Sequence, residues 1–258
     1  MDYETILYEP EGGIVRITLN RPTVMNGLNG QMRLDLIDAI RRARDTARCI
    51  ILTGAGRAFC SGQDLGDRAT SADIDLERTL REEYTPLLTS IYECPVPTIA
   101  AVNGPAAGAG ANLALAADVV IAAHSAYFTQ AFARIGLVPD AGGSYWLPRQ
   151  VGFAKAMGAA LFAEKVTAVD ADAWGMIWEA VPDADFASRV MMRAEHLASG
   201  PTAAYRLIKQ AMRESFDNRL PDQLALEAAL QGQAGQTRDF TEGVMAFLEK
   251  RPARYEGR

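Results

Sequence analysis

The chain has 258 residues, of which 49% are hydrophobic and 22% are charged. This composition is typical of a folded globular protein and excludes a chain that is mostly disordered. The formal net charge of -6 argues against a nucleic-acid binder, because such a protein needs a basic surface. No stretch approaches the roughly 20 apolar residues of a membrane span, and the first residues are acidic where a signal peptide needs basic ones. We therefore expect a cytoplasmic protein without membrane or nucleic-acid partners.

Cysteine and histidine are sparse. Cys49, Cys60 and Cys94 are widely spaced and form neither a disulfide framework nor a zinc pattern. The two histidines, His124 and His196, are too few for a histidine-based metal site. We therefore expect no metal cofactor. A nucleophilic Cys60 lacks a histidine placed to activate it, so we expect a small buried side chain there.

Strands and a helix are predicted in alternation over the first part of the chain. Residues 14–20 and 48–53 are β-branched and apolar, which favours strands. Between them, residues 29–46 carry apolar side chains at helical spacing, and we expect their arginines and aspartates to point outward. This order predicts a βαβ unit and an α/β fold.

The middle of the chain begins with a polar, acidic stretch at 66–80. We expect a mobile loop there, which leads into a helix that continues over 81–93. Apolar strands are predicted at 97–104 and 119–123, on either side of a helix rich in glycine and alanine.

The rest of the chain is predicted to be mostly helical. A helix over 144–163 contains a break near Gly152, and helices over 185–230 are interrupted at Gly200-Pro201. A last short helix over 239–251 leads into an exposed tail.

A glycine-bounded loop follows the second predicted strand, in the segment GRAFCSGQDL at 56–65. Such a loop can point successive backbone N–H groups at one atom, and these donors bind an oxyanion or a phosphate. A plain turn after a strand explains the same residues, so composition alone does not decide.

A second glycine-rich segment, NGPAAGAGANL at 103–113, joins a predicted strand to a helix. The free N–H groups and the positive dipole end of such a helix attract negative charge. The segment lacks the third glycine of a dinucleotide-binding motif and the lysine of a phosphate-binding P-loop. Small residues that let a helix pack closely against a sheet explain it equally well.

A third segment, RIGLVPDAGGSYWLPR at 134–149, contains a single carboxylic acid, Asp140. Apolar surroundings would raise the pKa of Asp140 and make it a candidate proton carrier. An aspartate that caps a helix or a turn is the alternative, and the Asp-x-Gly-Gly sequence suits it well.

Taken together, these segments resemble the crotonase family, also called the enoyl-CoA hydratase/isomerase family. The resemblance runs through five ordered segments: ITLNRPTVMNGLN, ILTGAGRAFCSGQDL, PTIAAVNGPAAGAGANLALAADVVIAA, IGLVPDAGGSYWLPR and EGVMAFLEKR. It implies a crotonase-like α/β spiral of β-β-α units in residues 1–195, which bind and transform an acyl-CoA thioester. It also implies a helical oligomerisation region at 196–258, a homotrimer or dimer of trimers, and no cofactor besides the CoA of the substrate.

The family resemblance implies two backbone N–H groups that hold the thioester oxygen and stabilise an enolate. By position, these donors belong to Gln63 and Ala109. Gly108 and Gly110, on either side of Ala109, are assigned to substrate binding in the same way.

The resemblance also implies a path for CoA beside the first glycine-rich loop and the segment before it, along Met25, Ala58, Ser61, Asp64 and Leu65. In relatives, the last helix of a neighbouring subunit reaches the nucleotide end of CoA. The matching positions in this chain are Phe247 and Lys250.

Two departures from the family pattern concern the reaction. The glutamates with which typical hydratases add water align with Asn112 and Phe132, and neither of these can transfer a proton. Asp140 lies where isomerases and an aryl-CoA dehalogenase of the family place their carboxylate. One carboxylate suffices to remove a proton and return it to another carbon. We therefore expect an isomerase with Asp140 as acid and base, Asn112 as a polar pocket residue, and Phe132 favouring an aromatic or apolar acyl group.

Within the family, the segments FCSGQDL, AAGAGANLAL, GLVPDAGG and AWGMIWEAV are most similar to enzymes that rearrange the ring epoxide of phenylacetyl-CoA and shift enoyl-CoA double bonds. Three alternatives stay open. Asp140 and Asn112 could position water in a hydratase, or Asp140 could attack as a nucleophile in a dehalogenase or thioesterase. The third is a non-catalytic homologue that binds CoA or RNA.

Overall fold

The structure is a computed structural model that describes residues 3–66 and 75–258. Its strands are β1 (Ile6–Glu11), β2 (Ile14–Leu19), β3 (Cys49–Gly54), β4 (Thr98–Val102), β5 (Ala106–Ala107), β6 (Val119–Ala123), β7 (Tyr127–Thr129), β8 (Val166–Thr167) and β9 (Glu179–Val181). Its α-helices are α1 (Gly30–Arg44), α2 (Leu76–Thr79), α3 (Thr85–Tyr92), α4 (Ala109–Leu115), α5 (Gly143–Phe162), α6 (Ala168–Ala173), α7 (Phe186–Ser199), α8 (Thr202–Glu214), α9 (Leu220–Ala234) and α10 (Arg238–Glu249). In the described part of the chain, no helix is long and apolar enough to span a membrane.

The main sheet has the strand order β1-β2-β3-β4-β6-β9. Strand β1 is antiparallel to β2, and the other neighbours are parallel. Both faces of the sheet are buried: Ile50 and Leu52 of β3 lie in the cluster that contains α1, whereas Ile51 lies in the cluster that contains α7. Burial on both faces explains why the central strands read as continuous apolar runs. The predicted α/β class and its four strands are confirmed.

Strand β1 was not predicted, and its position explains why. It is an edge strand, and its sequence ILYEPE is half polar and contains Pro10. Proline and charged side chains are common at sheet edges, where they limit further strand pairing. The apolar alternation that identifies a strand is therefore weak in this segment.

The predicted outward orientation of the charged residues of α1 is confirmed for Asp38, Arg41, Arg42 and Arg44 but is wrong for Arg33 and Asp35. Arg33 is 1% exposed and Asp35 is also buried, whereas Leu34 is 61% exposed. The carboxylate of Asp35 accepts hydrogen bonds from the backbone N–H and the hydroxyl of Thr5, at 2.9 and 2.7 Å. These bonds compensate for the burial of the charge, which a count of apolar positions does not register.

The expected loop over 66–80 lies mostly on residues 67–74, which are outside the described residues. From Leu76 the chain is helical, and the helix expected over 81–93 is confirmed as far as Tyr92. A π-helical turn, Leu80–Tyr84, separates α2 from α3. Pro86 at the start of α3 has no N–H to donate to the preceding turn, which accounts for the irregular hydrogen bonding there.

A second, small sheet joins β5, β7 and β8 and carries the start of α4. Its strands have two or three residues each, so they leave no periodic signal in the sequence. The break predicted in the long helix is confirmed, because Gly152 has φ 73° and ψ 165° inside α5.

The expected division at residue 195 lies inside α7, which packs against the sheet. Gly200 and Pro201 separate α7 from α8, as predicted. The tail after α10 is not the freely exposed segment that the sequence suggested. The buried carboxylate of Asp239 accepts hydrogen bonds from the backbone N–H groups of Glu256 and Gly257, at 2.7 and 2.8 Å.

Candidate active site

A cavity of about 290 Å³ lies where the first glycine-rich loop, the start of α4 and the Asp140 turn meet. Helix α2, the π-helical turn and a 3-10 helix at Ala131–Ile135 complete its wall. The described residues that line it are Ser61, Gly62, Gln63, Leu65, Leu76, Thr79, Leu80, Tyr84, Gly108, Ala109, Ala131, Phe132, Arg134, Ile135, Leu137 and Asp140. The wall is therefore mostly apolar, and Asp140 is the one carboxylic acid among these described residues.

The carboxyl group of Asp140 faces this apolar wall without compensation. Its Oδ1 atom is buried and accepts no hydrogen bond from a described residue. Burial raises the pKa of Asp140 to about 6, because desolvation disfavours the charged form. A carboxyl group with such a pKa can both take and return a proton near neutral pH.

A tight turn fixes the backbone of Asp140. Its carbonyl oxygen accepts the N–H of Gly143 at 2.8 Å and the side-chain amide of Asn112 at 2.7 Å. Gly142 has φ 81°, which glycine adopts without strain. A Cβ atom on Gly143 would lie 2.4 Å from Nδ2 of Asn112, so only glycine permits this approach.

Asn112 therefore has a different place from the expected one. It is fully buried, and it is absent from the residues that line the described cavity. Its Oδ1 accepts a hydrogen bond from Nε2 of Gln130 at 2.8 Å, while its Nδ2 donates to Asp140. The side chain thus holds the Asp140 turn rather than facing an acyl group.

The two predicted amide donors, those of Gln63 and Ala109, both border the cavity. Neither N–H donates a hydrogen bond within the described part of the chain. Leu28 pairs with the two neighbours of Gln63: its N–H donates to Gly62 O, and its carbonyl oxygen accepts the N–H of Asp64. The N–H of Gln63 itself therefore points away from Leu28. Ala109 is the first residue of α4, so its N–H has no partner within the helix.

Close backbone contact brings these donors together. A Cβ atom on Gly62 would lie 2.7 Å from the carbonyl oxygen of Ala107 and 3.4 Å from the nitrogen of Ala109. Gly62 also has φ 92°, a conformation that favours glycine. The two glycine-rich segments can approach this closely because a side chain is missing between them.

Gly110 has a packing role as well. A Cβ atom there would lie 2.7 Å from Sγ of Cys60. Cys60 is fully buried, and its burial raises the thiol pKa to about 12, so the thiol stays protonated. The expectation of a small buried side chain at Cys60 is confirmed.

Comparisons with known proteins show the family of this chain. Residues 9–258 match the family model described as enoyl-CoA hydratase/isomerase. The chain belongs to the enoyl-CoA hydratase/isomerase family. Its fold is accordingly the crotonase fold that the sequence motifs indicated, and it is an enzyme of that family.

Individual relatives of the family are similar over the full chain. A Rhodobacter capsulatus protein named "Probable enoyl-CoA hydratase" is 64% identical and covers 100% of both chains. The 1,2-epoxyphenylacetyl-CoA isomerase of Escherichia coli is 46% identical and covers 99% of both. The crystal structure of enoyl-CoA hydratase from Bacillus anthracis has a TM-score of 0.92 at 31% identity and covers 99% of this chain and 100% of that one.

The residues assigned to CoA by family resemblance come from two neighbouring segments of the chain. Residues 25–28 run beside residues 61–64, joined by hydrogen bonds from Ser61 N to Met25 O and from Leu28 N to Gly62 O. Ser61 and Leu65 border the cavity. The remaining members of the set do not line the cavity: Met25 is partly exposed, Ala58 is buried, and Asp64 pairs with Arg21 at 2.8 Å.

Phe247 and Lys250 lie elsewhere in this chain. Both are on α10 or at its end, and Phe247 is 83% exposed. Neither residue lines the cavity at Asp140.

Sequence reasoning missed several residues that shape the site: Asn26, Arg33, Tyr84 and Gln130. Asn26 is fully buried and its side-chain amide donates to the carbonyl oxygens of Ala55 and Ala58, which shapes the first glycine-rich loop. Arg33 had a detectable signal, because it lies three and four positions before Leu36 and Ile37 on the apolar face of a helix. A charged residue in such a stripe indicates a buried partner.

Proposed function

We propose that this protein is an acyl-CoA isomerase that works through a thioester enolate. The observation that carries the proposal is the carboxyl of Asp140, whose buried Oδ1 has no described partner, in the same apolar cavity as two backbone N–H groups without a described acceptor. Asp140 takes a proton from carbon and returns it to another carbon. Isomerisation involves no net oxidation, so the chemistry requires no redox cofactor.

The two amides supply the electrostatic part of the reaction. The N–H groups of Gln63 and Ala109 bind the thioester oxygen and stabilise the negative charge that develops on it. Ala109 is the first residue of α4, so the positive end of the helix dipole also lies there and favours the negative charge. One lost donor in such a site typically lowers kcat by about 10²–10³-fold.

The proposed acyl group is the ring epoxide of phenylacetyl-CoA, converted to an oxepin, or an enoyl group whose double bond shifts. The name of the 46% identical Escherichia coli relative, 1,2-epoxyphenylacetyl-CoA isomerase, supports the first substrate. The apolar wall supports both, since Phe132, Ile135 and Leu137 offer contacts for an aromatic or aliphatic group.

Hydration is the second candidate, and the name of the 64% identical Rhodobacter capsulatus relative favours it. Addition of water requires a positioned water and a proton donor. In this cavity both tasks would fall on Asp140, because the side-chain amide of Asn112 is bonded to Asp140 O and to Gln130. We therefore place hydration second.

The CoA moiety is proposed to lie along Met25, Ala58, Ser61, Asp64 and Leu65. The chain is proposed to assemble as a homotrimer or a dimer of trimers through residues 196–258. In such an assembly Phe247 and Lys250 of a neighbouring copy contact the nucleotide end of CoA. A groove of about 920 Å³ between α8, α9 and α10 supports the assembly, since its lining is largely apolar.

The test compares wild type with Asp140→Asn on three substrates: a 3-enoyl-CoA, a 2-enoyl-CoA and the ring epoxide of phenylacetyl-CoA. Products are separated by chromatography and identified by mass. We expect wild type to shift the double bond or rearrange the epoxide with little addition of water, and the variant to do neither. Dominant hydration by wild type, or full isomerase activity in the variant, would contradict the proposal.

A further inference from the structure

Arg33 is a buried cation beside the candidate active site. It projects from α1 and is 1% exposed. Its Nε atom donates to Glu83 at 2.8 Å, and its Nη2 atom contacts the same carboxylate oxygen. The charge of Arg33 is thus paired, which burial of a guanidinium requires.

The remaining nitrogen of Arg33 reaches the backbone and side chain at the first glycine-rich loop. Nη1 donates to the carbonyl oxygen of Leu28 and to Oε1 of Gln63, both at 2.9 Å. Leu28 in turn accepts the N–H of Asp64 and donates to Gly62, the two neighbours of Gln63. Arg33 therefore contacts Gln63 directly and also through the strand-like bridge that carries it.

Tyr84 is the second residue that donates to the same side-chain oxygen. Its hydroxyl donates to Oε1 of Gln63 at 2.6 Å, and the guanidinium of Arg33 lies 4.9 Å from the centre of its ring. Burial raises the pKa of Tyr84, so the phenol remains a donor. Oε1 of Gln63 thus accepts two hydrogen bonds from buried donors, which fixes the side chain.

The π-helical turn is what supplies both partners. Glu83 and Tyr84 are consecutive residues of Leu80–Tyr84, so one pairs with Arg33 while the next reaches Gln63. Leu80 and Tyr84 of this turn also line the cavity. π-Helical turns occur frequently at functional sites.

We propose that Arg33 and Tyr84 are positioning residues. By holding the side chain of Gln63, they fix the direction of its backbone N–H. The inference rests on the proposed function, in which that N–H binds the thioester oxygen. An amide donor stabilises an oxyanion only when it is aimed in advance at the position of the charge. The hydrogen bonds to Leu28 O and to Oε1 of Gln63 hold this loop in place, and with it the direction of the Gln63 backbone N–H.

The test measures how strongly the site polarises a bound thioester carbonyl. Phenylacetyl-CoA labelled with ¹³C at the carbonyl carbon is the probe, and difference infrared spectroscopy reads its stretching frequency. Wild type is expected to lower the frequency relative to the probe in solution. Tyr84→Phe and Arg33→Lys are each expected to move it back towards the solution value. Both variants should also exchange the α-protons of the probe with solvent about 10-fold more slowly, less than the loss of a whole donor costs.

Arg48→Lys is the matched control. Arg48 also uses its guanidinium to bind other segments, including the carbonyl oxygen of Tyr255 at 3.0 Å, but it does not line the cavity. This variant should keep the wild-type carbonyl frequency even where its unfolding temperature falls. Tyr84→Phe keeps the ring in place, so it reports on the hydrogen bond if Arg33→Lys fails to fold.

The possible results distinguish the positioning role of Arg33 and Tyr84 from the proposed function. A lowered frequency in wild type that both variants retain, with unchanged exchange, would overturn the positioning role and leave the proposed function intact. A wild-type frequency equal to that in solution would overturn the amide assignment, and the positioning role with it.

Discussion

Asp140 joins two properties that rarely occur together, a carboxyl group and an apolar surrounding without a described hydrogen-bond donor at Oδ1. Its backbone is nevertheless firmly held, by Gly143 and by Asn112. The side chain is thus left free for chemistry while the turn beneath it is fixed. In the proposed reaction this combination sets the protonation state of the catalytic group.

The first prediction concerns pH. Proton abstraction requires the charged form of Asp140, whose pKa is raised to about 6 by burial. The rate should therefore increase with pH and level off above about pH 6, rather than near the ordinary value for an aspartate. The measurement is kcat/KM for double-bond isomerisation between pH 4 and pH 8. A plateau that is already complete at pH 4.5 would contradict a desolvated base.

At this scale the family resemblance assigned Asp140, Gln63 and Ala109 to one site, and all three line one cavity in the structure. It misplaced Asn112, because the direction of that side chain depends on how closely Gly143 approaches it. Such a contact joins residues 31 positions apart in the chain. Neither spacing nor composition reports it.

At the scale of elements, the site depends on two segments that meet without a side chain between them. Gly62→Ala should break this contact, since the new Cβ would meet the carbonyl oxygen of Ala107 at 2.7 Å. We expect kcat to fall by about 100-fold, as for the loss of one oxyanion donor. We also expect the free energy of unfolding to fall by about 2 kcal/mol, because φ 92° is strained for alanine.

Gly12→Ala is the control for this variant. Gly12 also has a positive φ, 56°, but a Cβ there would meet nothing within 4 Å. Kinetics and denaturant unfolding of both variants separate strain from steric contact. Gly12→Ala should lose about 1 kcal/mol of stability and keep wild-type kcat. Equal kcat values for the two variants would contradict the role assigned to Gly62.

Long, apolar elements were predictable and short or edge elements were not. The central strands are buried on both faces, so their composition alone identifies them. Strand β1 and the strands of the small sheet lack that signal. The inward orientation of Arg33 and Asp35 was missed because each is compensated by hydrogen bonds to distant segments.

At the scale of the whole molecule, the C-terminal helices leave a large apolar groove. Its walls include exposed side chains of α8, α9 and α10, such as Ile208, Leu224 and Phe240. Apolar patches of this kind mark sites of association. The family resemblance indicated such a region, whereas the return of the tail onto Asp239 could not be foreseen, because it depends on backbone N–H groups rather than on side-chain types.

Assembly through this groove gives the next prediction. Wild type should have a mass of about 84 kDa, three times the 27.9 kDa chain, or twice that value for a dimer of trimers. Leu224→Asp should give a smaller species, because it would bury a charge at the interface. Leu34→Asp, at an exposed leucine of α1, should not. Light scattering after size exclusion measures all three, and a monomeric wild type would contradict the assembly.

The most direct measurement is the exchange of the α-protons of phenylacetyl-CoA with deuterated solvent, followed by mass spectrometry. It reports formation of the enolate without reference to the natural acyl group. Wild type should incorporate deuterium at the α-carbon, and Asp140→Asn should bind the same thioester but exchange at the rate of the uncatalysed control. Exchange by the variant at the wild-type rate would show that Asp140 is a turn residue and that the proton moves by another route.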